Sequence, residues 1–129
     1  MKFTVSAMLV VVGLIHLLPL SGVLGNTRLE ALYGVPIGGP DLEILMRHRA
    51  VLFGLLGAFL IYAAFRPSLQ AAAFVAGFVS VGSFMLLAAS VGGYNAKLAT
   101  VFNADIVALV CLAIGLGAWW RSSGGSSAP

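Results

Sequence analysis

The residues able to do chemistry in this chain are few and fall into short stretches. His16 stands late in a long apolar run. Asp41, Glu43, Arg47, His48 and Arg49 crowd into residues 41–49, and Tyr94, Asn95, Asn103 and Asp105 follow a third apolar run. Arginine offers a planar fork of donors that suits a carboxylate, a phosphate or a carbonyl, and an aspartate opposite it can act as counter-ion. Arg47, Arg49 and Asp105 are therefore the candidates to orient a polar group. Glu43 precedes Arg47 by four positions, the spacing of an ion pair on one helix. Arg49 lies about 200° round a helix from Arg47, so the two arginines cannot share one role. His48, between two arginines, reads as a hydrogen-bond donor rather than a general base. His16 reads as a hydrogen-bonded interior histidine, with proton carriage as its functional alternative.

Several chemistries are excluded. Two histidines with no thiolate or carboxylate at ligand spacing do not make a metal site. There is no Ser-His-Asp order, no His-Glu-x-x-His and no glycine-rich phosphate loop; Gly38-Gly39-Pro40 lacks the lysine such a loop needs. Cys111 is the single cysteine and sits in an apolar run, a small packing residue. Seven Lys/Arg scattered along the chain leave no clustered basic face for nucleic acid. No catalytic motif is present and no cofactor is required, although a quinone is a candidate ligand.

The elements that must position these groups are membrane spans. Of 129 residues 60% are hydrophobic and only 9% charged, and mean hydropathy is +1.07. Soluble domains carry about 25% charged residues, so lipid must solvate much of this surface. The periodicity and punctuation predict an all-α, integral membrane four-helix bundle with spans at about 3–24, 42–65, 69–91 and 100–120. Residues 1–121 form its single domain, and 122–129 (SSGGSSAP after Arg121) a flexible tail. The first run is read as a retained helix with Pro19 near its end, rather than a cleaved signal with Val23-Leu24-Gly25 at the cleavage site. Thr27-Arg28-Leu29-Glu30 matches a capping box and Gly34 a helix stop, predicting a short interfacial helix at about 28–33 with Leu29, Leu32 and Tyr33 on one side. Asp41 and Ser68 are the expected N-caps of the second and third spans, with Asn103 the cap of the fourth and Asp105 in its first turn.

The second span holds the main conflict. Its apolar run, Ala50 to Phe65, is roughly 16 residues and spans about 24 Å, short of the ~30 Å hydrocarbon core. Part of its charged start must therefore be drawn to the headgroup boundary or below. Small residues at spacings of four mark contact faces in lipid: Ala50, Gly54 and Ala58; Ala72, Ala76, Ser80 and Ser83; Ala104, Ala108, Cys111 and Gly115. Arg47 falls on the first row and Asp105 beside the third, so both are expected inward. Four spans put both termini on one side with Lys2, Arg66 and Arg121, and His16, Glu43, Arg47, His48, Arg49, Tyr94, Asn103 and Asp105 at the other end, the candidate ligand-binding pocket. Positive-inside counting, with Arg47 and Arg49 inside the span, places the termini in the cytoplasm.

At MRHRAVLFGLLGAFLIYAAF, preceded by RLEALYGVPI, the chain resembles DoxX-like small four-helix bacterial membrane proteins, in which an arginine opening the second helix precedes an apolar glycine-rich span. The resemblance covers residues 14–65. It implies a bacterial inner (plasma) membrane and an accessory role beside quinone-linked membrane oxidoreductases. The chain is also similar to short membrane proteins that carry the name phosphopantetheine adenylyltransferase. That enzyme is a soluble α/β protein with a His-x-Gly-His signature, and neither His16 nor His48 has that context. The expectation is a binding or accessory module: a lipophilic or amphiphilic ligand (quinone or lipid), or a membrane partner or second copy of the chain, held at a polar pocket. The alternatives are a small membrane enzyme or proton-coupled carrier using His16 or His48, and a purely structural subunit.

Overall fold

The computed structural model describes residues 2–125. Every described element is helical, as a chain without water to satisfy its backbone requires. Helix α1 (Lys2–Leu17) runs until Pro19, which has no N–H to give; the chain tightens there into a 3₁₀ segment, Leu18–Leu24. Gly25, at φ 138°, ends that segment and opens α2 (Asn26–Tyr33). Gly34 takes the left-handed conformation at φ 64° and closes α2 through its N–H to the Glu30 carbonyl, as its position predicted. Then follow α3 (Pro40–Ala64), a 3₁₀ turn (Pro67–Leu69), α4 (Gln70–Val91) and α5 (Ala96–Gly125).

Four stretches are long and apolar enough to cross a membrane: Lys2–Leu24, Pro40–Ala64, Pro67–Val91 and Ala96–Gly124. They fit an integral multi-pass membrane protein. Their lipid-side faces carry many exposed large apolar residues, among them Phe3, Leu55, Val75, Leu86, Val110 and Trp120.

The element ends differ from the sequence reading in instructive ways. The capping box does not close: Gly25 is the N-cap of α2, and Glu30 Oε1 instead accepts the Ile37 N–H at 3.2 Å. Asp41 is not a cap, because Pro40 at the first helical position moves the start of α3 back to Gly39; Asp41 and Glu43 lie in the first turn, favoured by the helix dipole. Ser68 caps nothing, being inside the 3₁₀ turn, and Leu69 takes that position for α4. The largest shift is in α5. Asn95, not Asn103, opens it, its Oδ1 accepting the Leu98 N–H at 2.9 Å. The helix also continues through Arg121 to Gly125, where a tail was expected; residues 126–129 of that tail lie outside the described residues.

Helix α1 is the centre of the packing, seated between α3 and α5, and α4 packs against α5 and, less extensively, α3. Its buried residues Val5, Leu9, Val12, Gly13 and His16 repeat at helical spacing. Contact with α3 is backbone to backbone: a Cβ on Gly57 would stand 2.7 Å from the Gly13 carbonyl oxygen. Gly54 is buried where Leu20 presses on it, and Gly77 of α4 receives Leu112. Two expected small-residue rows need correcting. Ala58 is exposed on α3, and α4 buries Ala73, Phe74, Gly77 and Val81 while Ala72 and Ser83 face outward. At the end of the bundle away from Lys2, a second apolar cluster of Leu29, Tyr33 and Ile37 packs on Leu42, Met46, Leu98 and Val101, so α2 roofs that end.

Candidate functional site

Counting along the helices explains why a site forms under this roof. His16 stands 14 positions from Lys2, Arg49 stands 15 from Ala64, and Asp105 stands 14 from Trp119. At 1.5 Å per residue each is about 21–23 Å from the terminal end of the bundle. Lys2, Ala64 and Trp119 mark that end together, lining one depression there. The three polar residues thus share one level, inside the depth of a ~30 Å hydrocarbon core.

They line a cavity of about 330 Å³ at the roofed end. Helix α1 and the 3₁₀ segment supply Ile15, His16, Leu18 and Pro19; α2 supplies Ala31, Leu32 and Tyr33. Arg49 and Phe53 come from α3, and Phe84 from α4. Helix α5 contributes Lys97, Thr100, Val101, Ala104 and Asp105. The lining is mainly apolar with a few polar groups, the usual composition of a small-molecule site, and the volume falls at the lower end of its ~300–1,000 Å³ range.

Arg49 is held between two rings. Its guanidinium carbon lies 4.6 Å from the Phe53 centroid and 5.1 Å from that of Tyr33. These contacts use no N–H donor in a hydrogen bond, and the guanidinium donates none to any described residue. Asp105 and Lys97 likewise have no hydrogen-bond or ion-pair partner among the described residues.

His16 is 3% exposed and fully engaged. Its Nδ1 lies 2.9 Å from the Val12 carbonyl oxygen, which can only accept, so Nδ1 carries the proton. In the neutral ring, Nε2 then accepts from the Ser80 hydroxyl at 3.0 Å, joining α1 to α4 at the cavity floor. A ring with both nitrogens satisfied is a wall of the site, which weighs against a proton carrier at this position.

Of the eight residues grouped from sequence, His16, Arg49 and Asp105 meet at the cavity. Five do not. Arg47 is exposed rather than inward: it pairs with Glu43 at 3.3 Å and donates from Nε to the Val23 carbonyl at 2.9 Å, so both side chains tie α3 to the end of the 3₁₀ segment. His48 is exposed between them and Arg49. Tyr94 stacks on Phe102, with centroids 6.1 Å apart and planes 19° from parallel, outside the cavity. Asn103 is exposed on α5, since that helix starts seven positions before it.

The site also contains residues not anticipated. Tyr33 and Phe53 were within reach of sequence: Tyr33 lies on the apolar side of α2, and Phe53 stands four positions after Arg49. Lys97 and Thr100 follow only once α5 is known to begin at Ala96. Asn95 holds the roof in place, donating from Nδ2 to the Tyr33 and Gly34 carbonyls at 2.9 and 3.2 Å while its Oδ1 caps α5. Among the described residues no group of three or more His, Cys, Asp or Glu could hold a metal ion. Comparison with known proteins adds nothing to this geometry: no family model, curated protein or solved structure matches the chain.

Proposed function

We propose that this protein is a small membrane binding module whose roofed cavity takes the polar head of an amphiphile, a quinone or a lipid. One observation carries the reading: Arg49 and Asp105 line a largely apolar cavity at the end of four membrane-length helices, with no side-chain hydrogen bond or ion pair to any described residue, and Lys97 stands exposed at its rim. An ionised side chain at membrane depth costs about 2.5–3.5 kcal/mol on insertion scales. Groups kept there unpaired are best accounted for by a ligand that pairs them. The resemblance of residues 14–65 to DoxX-like proteins supports an accessory role beside a membrane partner, in a bacterial inner membrane. With Lys2, Arg66 and Arg121 at the cytoplasmic side, the cavity then opens toward the outer face of that membrane.

Native mass spectrometry of the protein extracted from its host membrane tests this. The wild type should retain a non-protein mass that a folded Tyr33→Ala/Phe53→Ala variant has lost. Equal retention by both, or none by either, counts against the reading.

A further inference from the structure

The charges around the cavity do not cancel. Arg49 and Lys97 bring two positive charges and Asp105 one negative charge. The chain has four carboxylates in all. Glu43 is taken by Arg47, Glu30 accepts the Ile37 N–H, and Asp41 is exposed in the first turn of α3. None of these three lines the cavity, so no other side chain among the described residues brings a second anion to it. A monoanion would balance the set, lying between half-buried Arg49 and exposed Lys97 at the rim, whereas a neutral head would give Arg49 an acceptor but no counter-charge beyond Asp105.

The wall shows where a chain would go. On α4 no residue after Val81 is buried, while Ala73, Phe74, Gly77 and Val81 before it are. Phe84, the one α4 residue at the cavity, is only partly covered, and Leu18 of the 3₁₀ segment, also lining it, is 67% exposed. The outer surface of the bundle at this level faces lipid. A chain leaving between these two apolar residues would pass sideways into hydrocarbon, and the cavity's volume admits a head with the start of a single chain.

Resting on the reading of the cavity as an amphiphile site, we infer that its ligand is an acidic, single-chain amphiphile. A carboxylate or phosphate head sits between Arg49 and Lys97, and its alkyl chain leaves past Leu18 and Phe84 into the bilayer. Arg49 supplies a two-pronged donor edge, fixed by the Tyr33 and Phe53 rings, and Lys97 a mobile point charge at the rim. Asp105 sets the limit on head charge: it opposes an anion, so it favours one negative charge over two.

The test uses the full chain in phosphatidylcholine nanodiscs, with binding of defined probes read by native mass spectrometry. Laurate should bind, and lauryl phosphate, which carries close to two negative charges at neutral pH, less tightly; lauryl alcohol and decylubiquinone should bind roughly tenfold or more weakly than laurate, the loss expected for one charge-assisted contact. Acetate and inorganic phosphate, heads without chains, should not be retained. Arg49→Gln and Lys97→Gln should each weaken laurate roughly tenfold, Arg49→Lys should recover part of the loss, and Asp105→Asn should tighten binding. Recovery by Arg49→Lys separates a lost charge from a lost fold. If decylubiquinone or lauryl alcohol binds as well as laurate, or Asp105→Asn weakens laurate, the acidic-head assignment is wrong while the amphiphile site stands. If no chain-bearing probe binds, both are wrong.

Discussion

Arg49 and Phe53 stand one turn apart on the same side of α3, the guanidinium carbon 4.6 Å from the ring centroid, and Tyr33 of α2 closes over the same cation from above. These two contacts link the roof to the bundle. A desolvated cation–π contact contributes up to about 2 kcal/mol, an exposed one about 0.5–1. Phe53→Leu and Tyr33→Leu should therefore each lower unfolding free energy in detergent by about 1 kcal/mol. Tyr33→Leu should also raise hydrogen exchange across α2. Wild-type exchange in α2 of the Tyr33→Leu variant would show that the roof is held by Asn95 and apolar packing alone.

The His16–Ser80 bond makes a separate prediction about stability. Ser80→Ala leaves Nε2 buried without a donor, which costs about 1–3 kcal/mol. His16→Ala removes the ring itself, and the Ser80→Ala change should then add little. A double-mutant cycle measured by reversible unfolding should return a coupling of about 1 kcal/mol or more. Additive effects would mean that the two side chains do not depend on one another.

Two glycines of similar sequence context should behave oppositely. A Cβ at Gly57 meets the Gly13 carbonyl oxygen, a backbone atom that cannot turn aside, whereas one at Gly82 meets nothing within 4 Å. Gly57→Ala should force α1 from α3 and destabilise by about 1–3 kcal/mol. Gly82→Ala should be neutral or stabilise by up to about 1 kcal/mol, the ordinary helix-interior gain. Thermal unfolding of the two variants side by side checks the contrast.

The Glu43–Arg47 pair should be nearly silent toward ligand. Its side chains are 33% and 46% exposed, so the charge–charge part is screened and Glu43→Gln should change stability by no more than about 0.5 kcal/mol. Arg47→Ala should cost about 1 kcal/mol because the Val23 carbonyl loses its donor. Both variants should retain the bound amphiphile at wild-type level. Loss of ligand in Arg47→Ala would move the site toward the outer rim of α3.

These contrasts show what the sequence could and could not reveal. Four apolar runs separated by Pro, Gly and Asn punctuation were enough to locate the spans to within a few residues, because lipid forces every apolar run of that length into a helix. Which arginine points inward was harder. Arg47 lies on the same row as Ala50 and Gly54, and the 3₁₀ segment after Pro19 packs on that row and ends with the Val23 carbonyl within reach of Arg47, which is held there rather than turned to the cavity. Arg49, two positions on, is left to face the cavity. Asp105 depended on a helix start. Reading Asn103 as the cap put it in a first turn, whereas Asn95 caps α5 and sets Asp105 nearly three turns deep, level with His16 and Arg49. A local pattern supplies two candidate caps and no means of choosing between them; the bonds from Asn95 to Tyr33 and Gly34 decide it, and those bonds are long-range.

The most direct measurement of the central claim locates a bound chain. A laurate analogue with a photoreactive group near its head should be irradiated in nanodiscs with the wild-type protein, with and without excess laurate, and the adducts mapped by peptide mass spectrometry. The account predicts that the adducts suppressed by laurate fall on Ile15, Leu18, Phe53 and Phe84, around the cavity mouth. Suppressed adducts confined to the outer faces, at residues such as Val75, Val79 and Leu86, would contradict it.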